Sequence, residues 1–565
     1  TNTYSGTTTV GAGILEIAGS GSINAASALS IGADGILCFN TSADQNLDGV
    51  ITGSGDLVKQ GTGQLTISGA NSFTGKATIE SGLVVLNSSA TAITGDGDIS
   101  TADVEVTGGT LRLDADNQLA DDVDISISSG EFSLNGKTES IDGLSNSGGV
   151  FSTGIGGTLN VLGNTITWSG GTNTINDAAT LADTHWDVSG GTNTVEGGTT
   201  GGTLHVQSAG IGFEFTGSGT PNITLNSDNT AAGRMLLEGK LSVASGYTGT
   251  GATITSGGSG TNAGYIDLGA GTRTFEINDS ASAADDLTVS AVITNGSVTK
   301  TGAGTLVLSG ANTYSSLQIG ATNQAGNAGT VSIEHNTALG SGTLAYGSGG
   351  TLDLGVSGLT VGNNVFIGNR SDSSDYKIQL DLAGTATGEL TGDIDIRKGT
   401  AGVFVTQVGA DDTLTLSGIL KTGAGGGAGL TKTGAGTLVL SNANTYTGAT
   451  TVSAGTLQLG NGGTGGSLNT GSAISIASGA TFEVNQSDTV TQGTDFSGAA
   501  ISGAGGFTKS GSGRTILNAA NTYAGVTTIS GGQIEIQNND ALGTTAGETI
   551  INGGAKLTIS GGITT

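Results

Sequence analysis

Apolar residues along the 565-residue chain recur at every second position, in short runs. Thr305-Leu306-Val307-Leu308, Gly455-Thr456-Leu457-Gln458-Leu459 and Asp124-Ile125-Ser126-Ile127 are examples. A period of two places Leu, Ile and Val on one face and Thr, Ser or Gln on the other. Clusters of glycine, asparagine and serine end almost every run after four or five residues, as strand boundaries do. Helical spacing is hard to find, and the abundance of threonine and serine disfavours helix further. The pattern predicts an all-β protein.

Few connections look like tight Asn-Gly hairpin turns. More often, three short strands separated by small-residue corners take about 20–25 residues, the proportion of one coil of a parallel β-helix. Stacked coils would put Leu on Leu and Val on Val about 4.8 Å apart. With about 22 residues per coil, the expectation is roughly 25 coils and a rod of about 120 Å. Residues 1–565 are thus expected to form one continuous, elongated β-solenoid. A string of immunoglobulin-like sandwiches would need tandem domains of about 100 residues with regular turn signals. The two tryptophans of the whole chain and its lack of interdomain prolines count against that alternative.

Composition narrows the choice. Glycine occupies 106 positions and proline one, where ordinary usage is about 7% and 5%. Collagen needs proline and an unbroken Gly-X-Y period, so it is excluded. Disorder is disfavoured by 35% hydrophobic and 11% charged residues and by a mean hydropathy of +0.07. Scarce proline suits strands bonded on both sides, and glycine and asparagine suit corners with positive φ. A net charge of −29 repels nucleic acid and anionic lipid, both of which need clustered Lys and Arg. The lone cysteine, Cys38, cannot form an internal disulfide. No apolar run approaches a membrane span. The opening Thr1-Asn2-Thr3-Tyr4 is no signal peptide, and it falls in the middle of a repeat, so a piece of a longer protein is expected.

That repeat is explicit. Leu57–Asn87 reads LVKQGTGQLTISGANSFTGKATIESGLVVLN, and Leu430–Gly460 reads LTKTGAGTLVLSNANTYTGATTVSAGTLQLG. Related copies lie at 298–319 and 507–536, with a truncated one at 1–19. Each full copy opens on a lysine (Lys59, Lys300, Lys432, Lys509). About a dozen residues later comes Asn-Ser/Thr-aromatic: Asn71-Ser72-Phe73, Asn312-Thr313-Tyr314, Asn444-Thr445-Tyr446 and Asn521-Thr522-Tyr523. Intervals of 69, 241, 132 and 77 between successive asparagines, starting from Asn2, share no single period. The section 150–297 is less repetitive; it holds Trp168, Trp186 and Pro221 and is the first place to look for a lateral groove.

The pattern K-[TQS]-G-x-G-x-[LT]-x-[LI], then A-N-[TS]-[YF]-x-G and [TA]-T-[VI], resembles the passenger-associated transport repeat of Gram-negative autotransporters. The copy at 298–319 departs after Tyr314, where Ser315-Ser316 replaces x-Gly. The resemblance implies a right-handed parallel β-helix exported across the outer membrane to the cell surface, commonly serving adhesion, aggregation or biofilm. In the family the repeat is associated with passenger export and folding rather than ligand choice. Residues 1–565 include no β-barrel translocator of the kind the resemblance implies, so an excised piece is expected.

Candidate chemistry is sparse. A Ser–His–Asp triad would have to use His185, His205 or His335, and His185-Trp186-Asp187 is the most chemical-looking triplet. Asp121-Asp122, Asp285-Asp286 and Asp411-Asp412 invite comparison with polysaccharide-cleaving β-helices, but adjacent strand residues point to opposite faces. Asp96-Gly97-Asp98 and Asp372-Ser373-Ser374-Asp375 place oxygen ligands close together without matching a calcium loop. The repeat lysines are expected to be solvated beside glycine-rich corners, opposing edge pairing. The repeat asparagines should bond corner backbone, with the aromatic covering the turn, and Cys38 should be a small packed residue. No catalytic, cofactor-binding or metal residue is assigned, and no enzyme activity or cofactor is expected.

The expectation is therefore an extracellular structural and adhesive passenger stalk. Its partners would be a host or abiotic surface, extracellular matrix or glycan, or other copies of itself. Nucleic acid and membrane insertion are not expected, and only loose binding of divalent cations is. The alternatives are a self-assembling extracellular fibre or matrix protein and, less favoured, a polysaccharide-cleaving enzyme.

Overall fold

The computed structural model describes residues 2–96, 102–163, 165–183, 185–208, 211–321, 327–368, 376–397, 403–423 and 427–563. Among them every regular element is a β-strand. The chain divides into two compact units, Thr1–Gly296 and Ser297–Thr565. Each is a parallel β-solenoid, and each is taken separately.

In the first unit, strand Thr8–Gly19 pairs in parallel with Leu29–Thr41, which pairs in turn with Asp56–Gln60. The alternation seen in the sequence becomes vertical columns. Leu159, Leu181, Leu204, Met235, Ile266 and Ile293 face one another on successive coils of a seven-stranded parallel sheet, all fully buried. Burying each such side chain contributes about 1.5–3 kcal/mol, and no single coil could bury its own row.

An aromatic cluster spans two neighbouring columns. Trp168, Trp186, Phe213 and Phe215 contact in sequence with ring centroids 5.4, 5.9 and 5.1 Å apart. Both tryptophans of the less repetitive section are therefore core residues. Pro221 stands immediately before strand Asn222–Asn226, where its missing N–H is harmless.

The second unit repeats the logic. Leu414, Leu438, Leu457, Phe482 and Phe507 form one inward column. Leu416, Leu440, Leu459, Val484, Lys509 and Ile529 form the next. Corners use left-handed backbone at glycines such as Gly82 (φ 76°) and at Asn117 and Asn135 (φ 53° and 52°).

Coil length varies around the roughly 20–25 residues expected from the sequence. Leu438 faces Leu457 after a short circuit, whereas the circuit from Ile254 to its partner Val289 is far longer. Strand columns keep their register while the corners absorb additional residues, because loop closure costs grow only slowly with length.

Candidate functional site

The repeats build one device several times. The lysine alternates with an apolar residue two positions earlier, so it points into the core. Phe39, Lys59 and Ile79 face one another on consecutive coils, as do Lys432, Val452 and Ile476. Lys59, Lys300, Lys432 and Lys509 are at most 1% exposed. Their butyl stems continue the aliphatic columns and their ammonium groups emerge inside a corner lined by carbonyls.

Lys59 Nζ donates to the carbonyls of Gln60 (2.7 Å), Gly61 (2.7 Å) and Ser81 (3.2 Å). Lys300 Nζ donates to Gly302 (2.7 Å), Gly304 (2.6 Å) and Ala328 (2.7 Å). Lys432 Nζ reaches Thr433 (2.8 Å), Gly434 (2.7 Å) and Ala454 (3.2 Å), and Lys509 Nζ reaches Gly511 and Gln486. Ser81, Ala328 and Ala454 belong to the following coil, so the first three lysines clamp consecutive coils. Burial pushes Lys59 below its ordinary value and Lys432 and Lys509 down to about 8. The expected solvated lysines are thus corrected: each buried cation is satisfied by carbonyls of the corner, some of which, such as Gly304 O and Gln486 O, also accept a backbone N–H.

The asparagines bracket the neighbouring coils from the same repeat. Ile51 N–H donates to Asn71 Oδ1 (2.8 Å), and Asn71 Nδ2 donates to Ala92 O (2.8 Å). Asn521 does the same between Ile501 N (2.8 Å) and Ala541 O (2.7 Å). Asn444 accepts from Leu420 N (2.9 Å) and donates to Ser467 O (3.2 Å), while Asn312 donates to Ala338 O (2.8 Å). These asparagines bond corner backbone, as expected. The aromatics do not cover a turn from outside: Phe73, Tyr314, Tyr446 and Tyr523 are wholly buried.

Two polar core features had gone unread in the sequence. Asn146, Asn173 and Asn193 form a buried ladder, each donating to the next at 2.8 Å. Glu139 lies at the foot of the Leu159 column and accepts the N–H groups of Gln118 (2.6 Å) and Leu119 (3.1 Å). Burial raises Glu139 to about 7.

The catalytic candidates are dispersed. His185 Nδ1 meets Thr165 Oγ1 at 2.7 Å, whereas Asp187 accepts from the Thr216 hydroxyl. His205 pairs with Glu238 at 3.0 Å, and His335 closes a local turn with Thr337. The aspartate pairs split between two environments. Asp412 is buried and caps the N–H groups of Leu382 and Ala386, and Asp286 caps Ser280 N, while Asp285, Asp411, Asp121 and Asp122 are exposed. Gly97, Asp98 and the stretch 372–375 lie outside the described residues. Cys38 is buried in strand Leu29–Thr41, where desolvation raises its thiol pKa.

The second unit also carries a cleft of about 340 Å³. Segments 441–443 and 464–467 line it, with Gln486, Asp488, Thr489, Val490 and Asp495. One wall comes from the repeat at 430–459 and the others from the chain that follows it, including the strand Thr489–Thr491.

Comparison with known proteins bears on the whole arrangement. The passenger-associated-transport-repeat family matches at residues 1–17, 57–86, 298–321, 430–459 and 507–536. The four full matches hold the clamps, so the chain carries five such repeats, the first of them truncated. It is also similar to the adhesin BmaC autotransporter of Brucella suis biovar 1 (strain 1330), at 28% identity over 86% of this chain. The chain spans 16% of that relative's length. No solved structure matches.

Proposed function

We propose that the chain is a surface-exposed adhesive passenger segment of an autotransporter-type protein, exported across the outer membrane of a Gram-negative cell. The observation that carries this reading is the coincidence of the transport repeats with the lysine–asparagine clamps of a parallel solenoid. The likeness to an autotransporter adhesin along most of the chain supports it.

The mechanism is mechanical and non-enzymatic. Columns of buried aliphatic residues let each coil template the next, and the clamps fix the corners without disulfides. Such a chain suits export in an unfolded state followed by folding coil on coil. Its partners are a host or abiotic surface, extracellular matrix or glycan, or other copies of itself. The charge of −29 steers it away from nucleic acid.

Display of the chain, fused to an autotransporter translocator, on a non-adherent Gram-negative strain tests this. The expected result is a protease-accessible surface protein that increases attachment to coated wells or cell–cell aggregation over the translocator alone. A chain that reaches the surface folded and changes neither attachment nor aggregation contradicts the reading.

A further inference from the structure

Coils inside the repeats are short and bare, as in the circuits that bring Leu438 to Leu457 and Phe507 to Thr527. Between them, the circuits from Leu457 to Phe482 and from Phe482 to Phe507 are longer. The added residues near 460–467 and 485–495 form most of the wall of the 340 Å³ cleft, which residues 441–443 of the preceding repeat complete.

Those walls are tied rather than loose. Gly462 N–H donates to Asn485 O (2.8 Å) and Ser487 N–H to Gly463 O (2.9 Å). The buried Gln486 donates from Nε2 to Gly466 O (2.6 Å). The flanking repeats anchor both walls. Asn444 Nδ2 donates to Ser467 O on one side, and on the other Asn521 Oδ1 accepts from Nε2 of the buried Gln492 at 2.8 Å. A cleft set in advance in this way avoids the ordering cost that weakens binding by free loops.

We infer that this cleft binds a glycan through uncharged or amine-bearing sugar residues. The inference deepens the adhesive reading and rests on it. Among the described residues, the hydroxyls of Ser441, Thr464, Ser467 and Thr489 and the carboxylate of Asp488 make no hydrogen bond to protein. A hydroxyl both donates and accepts, so four of them match a ligand that is itself rich in hydroxyls. A peptide cation or a metal ion would use the carboxylates and leave the hydroxyls idle. No Lys, Arg or His lines the cleft. The nearby Arg514, whose N–H bonds Asp488 O, turns its guanidinium to Glu535 (3.0 Å). With Asp488 and Asp495 both present, uronate, sialylated and sulfated sugars are repelled.

Saturation-transfer NMR on the purified chain tests the assignment, with cellohexaose, chitohexaose, glucosamine hexamer, trigalacturonate and tetralysine as probes. Thr489→Arg, which fills the cleft from an exposed position, and Asp488→Ala are the variants, with thermal melts confirming that both remain folded. The expected result is saturation of at least one neutral or amino-sugar hexamer and none of trigalacturonate. Thr489→Arg should weaken binding at least 10-fold. Binding of no sugar, binding of tetralysine alone, or sugar binding indifferent to both variants overturns the inference. Attachment by the displayed wild-type chain is scored separately. Adhesion without sugar binding removes the cleft and leaves the adhesive reading standing; loss of adhesion with sugar binding intact does the reverse.

Discussion

The Tyr523 hydroxyl stands 2.7 Å from Thr527 Oγ1, and both residues are buried in the core. Tyr446 and Thr450 repeat the pair at 2.6 Å, with the same spacing along the chain. Where the repeat carries Phe73 instead of tyrosine, the position equivalent to the threonine is Ala77, which has no hydroxyl to satisfy. In the copy that departs from the pattern, Tyr314 turns its hydroxyl to Ala338 O at 2.8 Å. In all three copies with a tyrosine, the buried hydroxyl has a partner, in line with the general pairing of buried polar groups. Tyr523→Phe or Thr527→Ala alone should therefore cost about 1–2 kcal/mol, by leaving the other group unpaired. The double variant should cost less than the sum of the two, and urea unfolding of the four proteins measures that coupling.

Lys432 is replaced by methionine in the next test. The stem is conserved in volume, but the three carbonyls at 2.7–3.2 Å lose their donor. Relief of the ammonium's desolvation offsets part of that loss, leaving a net destabilisation on the order of 3 kcal/mol. Lys556→Met, at an exposed position, should change stability by less than about 0.5 kcal/mol. Equal effects in the two variants would show that the clamp contributes nothing.

Gly82 closes the first full clamp. A Cβ there would lie 2.4 Å from Gly61 O and 2.6 Å from Lys59 Nζ, on backbone at φ 76°. Gly82→Ala should displace the ammonium and strain the corner, costing at least about 2 kcal/mol. Hydrogen exchange should locate the loss in the coils around 59–86. At Gly13, where nothing lies within 4 Å, alanine should cost only the left-handed backbone penalty of about 1 kcal/mol.

Glu139 gives the first unit a pH dependence. Burial holds its carboxyl at about 7, from 4.5, against hydrogen bonds from three backbone N–H groups, with Asp121 adding to the rise. Between those values the folded chain keeps a proton that the unfolded chain has released. Its stabilising contribution is therefore complete below pH 4.5 and disappears as pH rises through 7, a swing of about 3 kcal/mol. Glu139→Gln should flatten the stability profile between pH 4.5 and 7.5. An unchanged slope in thermal melts across that range would contradict the assignment.

Much of this architecture was legible. The period of two in Thr305–Leu308 and Thr456–Leu459, the single proline and the positive-φ corners all led to stacked parallel strands. The repeat motif located the clamps. Their inward direction was missed because lysine was read by its charge instead of its parity. Leu57 and Lys59, Val298 and Lys300, Leu430 and Lys432, and Phe507 and Lys509 are each two apart, so a strand must send both members to one face. The same parity joins Glu139 to Ile141 and Asn173 to Ile175. The cleft was sought near Trp168 and Trp186, but those rings serve the core. The described cleft depends instead on residues 441–443 and the segments 460–467 and 485–495, and the hydrogen bonds between the two segments leave no periodic trace.

Amine reactivity tests the clamps most directly. The native chain is treated briefly with an acetylating reagent at neutral pH and the modified lysines are read by mass spectrometry. Lys76, Lys240, Lys421 and Lys556 should react within the pulse. Lys59, Lys300, Lys432 and Lys509 should stay unmodified until the chain is unfolded. Labelling of the four repeat lysines at the rate of the others would contradict the account.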